Sequence, residues 1–286
     1  MMAIMPSSEA PQPAPTTDAG RAALDAVVAD PARALLALDF DGTLAPIVDD
    51  PEQAAVHPRA VAALDRIGPC LGKVAVVTGR PVLTALRLGG FDDRPGLSRL
   101  SILGQYGAER WDAQTGEADI PPPPAAIAEV ESRLPRLLDD LGLGDVALEK
   151  KGRAVVLHTR RLADPAEAQR RLAGPVAALA RSHGLAAEQG RNVIEVRDPS
   201  VDKGRALRDL VAQTGATAVV YAGDDLGDLP AYVALQSMRA AGEVRALLVA
   251  VASAEQPALV PRSDLAVDGP EELADWLERL ADRLGC

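Results

Sequence analysis

Two carboxylates two residues apart, Asp39 and Asp41, end the apolar run Leu35-Leu36-Ala37-Leu38, and Gly42-Thr43 follows them. An i, i+2 pair leaving a strand projects to one side, so both acids can face one small volume. Placed together they repel unless a cation joins them or one stays protonated. A hard divalent ion held by few carboxylates and by substrate oxygens, Mg2+ first among them, meets that need. Three more polar ends follow in order. Thr78 closes the run Lys73 to Val77, Lys203 opens a helical segment, and Asp224 and Asp225, with Asp228 just behind, follow the run Thr217 to Ala222. Carboxylates, a lysine, a hydroxyl and a divalent cation together suit phosphoryl transfer. One carboxylate can attack phosphorus and form an aspartyl phosphate, while cation and lysine neutralise the phosphoryl oxygens. A second acid can protonate the leaving oxygen and then deprotonate water.

The elements around these residues must bring them to one place. Each of the apolar runs reads as a buried parallel strand, and open α/β sheets collect their chemistry beyond the carboxyl ends of such strands. Strands and helices alternate up to the short strand Ser101 to Gly104: a helix over Asp18 to Ala29, one over Pro58 to Ile67, and one from Pro81 to about Leu88. The pattern then changes. Pro121 to Pro124 precede a helix from about Ala125 to Leu141, and strands at Val146–Glu149, Arg153–Arg160, Leu185–Glu188 and Asn192–Arg197 flank a long helix from Pro165 to His183. Strands in pairs with helices between them describe an α+β module. Alternation resumes at Asp202 and ends in a helix near Glu271 to Leu284. The expected fold is therefore α/β, a Rossmann-like parallel-sheet core with an inserted α+β cap domain. The core is expected over 21–109 and 200–286, the cap over 110–199, and a disordered leader over 1–20.

A formal net charge of -11 over 286 residues argues against a general nucleic-acid or anionic-membrane surface, which would need clustered basic residues. No stretch approaches the roughly 18 apolar residues of a membrane span. Met1 to Gly20 lack the basic start and apolar core of a secretory signal. Cys70 and Cys286 stand too far apart in the chain, and are too few, to suggest a disulfide framework or a zinc site, so a reducing, cytoplasmic setting is expected. The expected partner is a small molecule, met by a monomer, with neither nucleic acid nor membrane involved.

The four polar ends, taken in order, resemble the motifs of the haloacid dehalogenase superfamily: Asp39-Phe40-Asp41-Gly42-Thr43, Thr78, Lys203 and Gly223-Asp224-Asp225. That resemblance covers about residues 34 to 270. It implies Asp39 as nucleophile, Asp41 as general acid and base, Thr78 and Lys203 as phosphoryl-binding groups, and Mg2+ held by Asp39, Asp224 and the Asp41 backbone carbonyl. Within the superfamily the chain is similar to the trehalose-6-phosphate phosphatase family. The matching stretches are Asp-Gly-Thr-Leu-Ala-Pro-Ile at 41 to 47, Thr-Gly-Arg at 78 to 80, Tyr-Gly-Ala-Glu at 106 to 109, Glu149-Lys150-Lys151-Gly152, and Asn192-Val193-Ile194-Glu195-Val196-Arg197. This similarity implies hydrolysis of trehalose 6-phosphate to trehalose and phosphate through an aspartyl phosphate, as the last step of trehalose biosynthesis. Two rivals are a phosphatase of sucrose phosphate or a mannosyl phosphoglycerate, and a non-catalytic sugar-phosphate-binding module. Modules of the second kind usually lose a carboxylate, and here Asp39 and Asp41 are both present. The chain departs from the family twice: Tyr106 stands where many members have His, and Gly227-Asp228-Leu229 stands where they have a Thr-Asp-Glu run.

Candidate substrate contacts follow from the same stretches. Arg80 comes just after the second motif, Gln105 lies in the polar loop after the third strand, and Glu149 and Lys151 sit at a turn around Gly152. Glu195 lies inside Val193-Ile194-Glu195-Val196, so its carboxylate points to the face opposite Ile194 and Val196. If that face looks toward the catalytic edge, Glu195 can accept hydrogen bonds from sugar hydroxyls, with Arg191 and Asn192 beside it. His158 reads as a satisfied structural histidine, and Asp49 and Asp50 as solvated loop charges.

Overall fold

A computed structural model describes residues 13–48, 50–92, 94–190, 192–252 and 259–286. Eight strands form the larger sheet. Its parallel part comprises β1 (Ala34–Leu38), β2 (Lys73–Val77), β3 (Leu100–Gly104), β10 (Ala218–Gly223), β11 (Arg245–Ala252) and β12 (Leu265–Asp268), in the spatial order β12-β11-β10-β1-β2-β3. From β1 the chain proceeds one way through β2 and β3, and from β10 it proceeds the other way through β11 and β12. The order therefore reverses between β1 and β10, and at such a switch point the connections diverge and leave a crevice at the carboxyl ends.

Alternate strand residues feed two separate cores, as a sheet covered on both faces requires. Leu36, Leu38, Val74, Val76, Val220 and Val249 pack under α1 (Asp18–Ala29), α2 (Pro58–Ile67), α3 (Val82–Gly89) and α8 (Gly269–Leu284). Leu35, Ala37, Ala75, Val77, Val219 and Leu248 pack under α6 (Lys203–Thr214) and α7 (Leu229–Ala240). The near-continuous apolar strands follow from this, because every side chain of β1 and β2 is buried.

Three expectations change. Residues 110–119, expected in the cap, instead extend the core sheet: β4 (Glu109–Asp112) pairs antiparallel with β3 and with the short β5 (Ala118–Asp119). Asp112 fixes this register by accepting from Lys73 Nζ at 2.9 Å and Ser101 Oγ at 2.7 Å, so it neutralises a lysine buried at the start of β2. The helix α1 takes the last three residues of the expected leader, because Thr17 caps it by accepting from the Gly20 amide. Residues 1–12 of that leader lie outside the described residues. Cys70 and Cys286 form a disulfide across 216 residues of sequence. Separation along the chain was no guide, since α2 packs along α8 and carries Cys70, just past its end, to the C-terminus. One ground for expecting a reducing compartment goes with it.

The cap is a four-stranded antiparallel sheet in the order β6-β7-β9-β8, formed by β6 (Ala147–Lys150), β7 (Ala154–His158), β8 (Ala186–Gly190) and β9 (Val193–Arg197). Its Val155, Leu157, Ile194 and Val196 pack against Ile127, Val130 and Leu134 of α4 (Ala125–Asp140) and Leu172 and Val176 of α5 (Pro165–Ser182). With one face so covered, the alternate residues of β7 and β9 turn the other way. Among the described residues no helix is long and apolar enough to cross a membrane.

Candidate active site

The site begins where β1 and β10 end side by side. The Asp39 amide donates to the Ala222 carbonyl at 2.9 Å, which sets Asp39 beside Gly223-Asp224. After Asp39 the chain turns sharply, with the Phe40 carbonyl accepting from both the Leu44 and Ala45 amides. Gly42 makes the turn at φ +75°, and a Cβ there would lie 2.0 Å from Asp224 Oδ2. Only glycine combines that backbone angle with that approach. The next residue, Thr43, is buried and turns its hydroxyl toward Asp224 Oδ1, 3.5 Å away.

Lys203 is the first residue of α6, whose N-terminus Asp202 caps by accepting from the Arg205 amide. Its buried Nζ lies 2.6 Å from Asp39 Oδ1 and 2.7 Å from Asp228 Oδ1. Burial alone would push the ammonium down, but Asp228 and Asp39 hold it well above its ordinary range. Asp228 is fully engaged. Its Oδ1 also accepts from the Tyr221 hydroxyl at 2.5 Å, and its Oδ2 accepts from the Asp224 and Asp225 amides at 3.0 and 3.3 Å.

Asp39, Asp224 and Asp228 each bring an oxygen within 4.8 Å of the others. Burial, then repulsion from Asp228, raises the Asp39 carboxyl well above the carboxylate range despite Lys203. Burial and the charge of Asp39 push Asp224 up to about 10. Ionised together, three buried acids with one ammonium would carry net negative charge, and a hard divalent cation is the charge that would let them ionise. Because Asp228 already takes four donors, Asp39 and Asp224 are the carboxylates suited to hold that cation.

The Asp41 carboxylate is not part of this cluster. Arg80 grips it in a fork, with Nε 2.7 Å from Oδ2 and Nη2 2.6 Å from Oδ1, while Nη1 reaches the Pro51 carbonyl at 2.9 Å. The guanidinium also lies 5.3 Å from the centre of the Phe40 ring. Thr78 is buried at the end of β2, and its hydroxyl accepts from the Arg80 amide at 3.1 Å.

Cap residues approach this edge from the other side. Ile194 and Val196 are buried in the cap core, and Glu195 faces the opposite way, as its strand phase requires. Its Oε2 accepts from the Tyr106 hydroxyl at 2.5 Å and its Oε1 lies 3.2 Å from Lys151 Nζ. Gln105 Nε2 donates to the Lys151 carbonyl at 3.2 Å. Glu149 stands apart from this trio: its Oε2 meets His158 Nε2 at 2.8 Å, and that bond holds the carboxyl below its usual range in spite of burial. Asn192 adopts φ +58°, a left-handed angle asparagine tolerates, and its carbonyl accepts from the Thr159 amide and hydroxyl. Arg191 and Asp49 lie outside the described residues.

Several residues of the site have roles the sequence did not show. Tyr221 and Thr43 look like ordinary core positions until the fold sets them against Asp228 and Asp224. Glu109 is buried and accepts from the Val82 amide at 2.7 Å, so it serves the N-terminus of α3. Tyr106 stands out in the sequence in a family-like stretch and as a departure from the usual His, without a partner to show its role. It and Gln105 both adopt positive φ, +61° and +47°, a backbone cost of about 1–3 kcal/mol each that tends to be kept at functional sites. Its ring lies under the Arg197 guanidinium, 4.5 Å from the centroid, and Arg197 also pairs with Glu188 at 2.5 Å.

A parallel sheet that reverses at a crevice, with acids from two strand ends and a lysine from a helix start meeting there, defines a haloacid dehalogenase-like architecture. A haloacid dehalogenase-like hydrolase from Bacteroides thetaiotaomicron shares the fold, with a TM-score of 0.59 at 18% identity over 86% of this chain and 98% of that one. The trehalose-6-phosphate phosphatase C-terminal domain of C. albicans superposes with a TM-score of 0.70 at 21% identity, over 96% of this chain and 99% of that one. The family model described as Trehalose-phosphatase matches residues 37–260, and the chain belongs to that family. A relative from Mycobacterium avium (strain 104), named trehalose-phosphate phosphatase, is 33% identical over 257 residues, covering 86% of this chain and 61% of its own length. The chain thus spans about three fifths of the curated relatives it matches.

Proposed function

We propose that this protein hydrolyses trehalose 6-phosphate to trehalose and phosphate. The observation that carries the reading is the buried meeting of Asp39 and Lys203 at 2.6 Å beside Asp224, at the switch point of a Trehalose-phosphatase family chain. Asp39 attacks phosphorus and the bond from phosphorus to the sugar oxygen breaks, leaving an aspartyl phosphate. Asp41 gives its proton to the leaving sugar oxygen. It then takes a proton from water, whose oxygen attacks phosphorus, freeing phosphate and restoring Asp39. Lys203 and Thr78 hold the phosphoryl oxygens. The fork from Arg80 belongs to the resting arrangement, and the Asp41 carboxyl turns out of it to reach the leaving oxygen. Asp39, Asp224 and the Asp41 carbonyl would hold Mg2+, which when bound supplies charge neutralisation for the phosphoryl oxygens. Glu195 and Lys151, with Gln105, form the sugar side, Glu149, Arg191 and Asn192 being further candidates from the sequence, and the cap excludes bulk water when it covers the crevice.

Phosphate release from trehalose 6-phosphate, sucrose phosphate, mannosyl phosphoglycerate and an aryl phosphate, with Mg2+ and after chelation, tests the reading. Preference for trehalose 6-phosphate, lost on chelation and regained with Mg2+, is expected. Full turnover in metal-free buffer would overturn the metal assignment, and preference for another sugar phosphate would overturn the substrate.

A further inference from the structure

Tyr106 touches both halves of the molecule. Its amide donates to the Thr78 carbonyl at 2.8 Å, and the neighbouring Gln105 amide donates to the Arg80 carbonyl at 2.9 Å, so its backbone is bound to the loop that ends β2. Its ring covers Gly79 so closely that a Cβ there would lie 2.8 Å from Tyr106 Cζ and Oη. Its hydroxyl holds Glu195 Oε2 while Lys151 holds Oε1. Above the ring, Arg197 also donates to the Asp198 and Val201 carbonyls, in the segment where the chain leaves the cap.

We propose that Tyr106 is a positioning residue that fixes the Glu195 carboxylate relative to the Thr78–Arg80 loop, so that the sugar and the phosphate of one substrate are recognised at a set separation. The inference rests on the sugar-phosphate phosphatase reading above. A carboxylate oxygen has two acceptor directions, so Glu195, with one donor on each oxygen, retains a direction on each for a sugar hydroxyl. Both donors hold the carboxylate in one orientation, and orientation is what remote binding energy needs in order to lower the barrier at phosphorus. An aryl phosphate offers no hydroxyl and gains nothing from the arrangement.

The test is a double-mutant cycle in the full chain with Tyr106→Phe and Glu195→Ala, read as kcat/KM on trehalose 6-phosphate and on p-nitrophenyl phosphate with Mg2+. Phenylalanine keeps the ring against Gly79 and Arg197 and removes only the donor. Tyr106→Phe is expected to lose about five-fold more on the sugar phosphate than on the aryl phosphate, the worth of one hydrogen bond. Added to Glu195→Ala it should cost nothing further, because the group it orients is gone. Equal loss on both substrates, no loss on either, or full multiplication of the two single effects would overturn the proposal. The wild-type panel is read first. If another sugar phosphate is preferred, the substrate reading falls and the cycle is run on that compound; if no sugar phosphate exceeds the aryl phosphate, both readings fall.

Discussion

The catalytic edge and the cap both place charges around one crevice, but in different surroundings. At the edge, Asp39, Lys203 and Asp228 lie within a sheet covered by helices on both faces, and none is more than 7% exposed. In the cap, Glu195 lies on the sheet face turned away from α4 and α5 and pairs with Lys151 from the turn after β6, both partly covered, while Glu149 and His158 are more exposed still. Buried charges are held only by full partnership, so each residue at the edge constrains the others. The more exposed pair of Glu149 and His158 is held locally and can be replaced at smaller cost. On the proposed reading, chemistry that must be the same for every substrate sits in the first environment, and recognition sits in the second.

Substitutions can break this contrast. The largest effect is expected for Asp39→Asn, which removes the proposed nucleophile and should lower kcat by about 10⁴-fold or more in phosphate-release assays. A variant retaining a tenth of the activity would mean that the edge does not carry the reaction. Lys203→Met leaves two buried carboxylates without their cation. It should cost about 3–5 kcal/mol in urea unfolding, and a change under 1 kcal/mol would show that the edge is as tolerant as a surface. Cys286→Ser opens the 216-residue covalent loop and should cost about 2–5 kcal/mol while leaving kcat alone, since α8 lies away from the site. A fall in kcat matching the loss of stability would contradict that separation.

The smallest effect belongs to the cap. Glu195→Ala should lower kcat/KM on trehalose 6-phosphate about 10-fold more than on an aryl phosphate, equivalent to about 1.4 kcal/mol. Equal losses on the two substrates would remove Glu195 from sugar recognition.

The same contrast explains what could be read from the chain. Asp39, Thr78, Lys203 and Asp224 each sit at an element boundary marked by apolar periodicity, and a parallel sheet brings such boundaries to one edge. Glu195 was legible because strand phase alone decides which way it faces. The fork between Arg80 and Asp41 was not, since it depends on how the segment after β1 and the turn after β2 meet, with Arg80 reaching both Asp41 and the Pro51 carbonyl. Nor was the tie from Tyr106 to Glu195, which spans 89 residues and joins the two halves of the molecule. The β4–β5 hairpin falls within the expected cap because turn-rich sequence announces a boundary without saying on which side it falls. Two cysteines far apart in sequence suggest no disulfide framework, yet helix packing brings Cys70 and Cys286 together.

The most direct test of the account is to find which carboxylate carries the phosphoryl group. Rapid acid quench of the enzyme turning over trehalose 6-phosphate with Mg2+, followed by peptide mass spectrometry, should find phosphate on Asp39, and none should be trapped in Asp39→Asn. Phosphate on Asp41 would reverse the two roles, and turnover without any phosphorylated carboxylate would contradict the covalent route altogether.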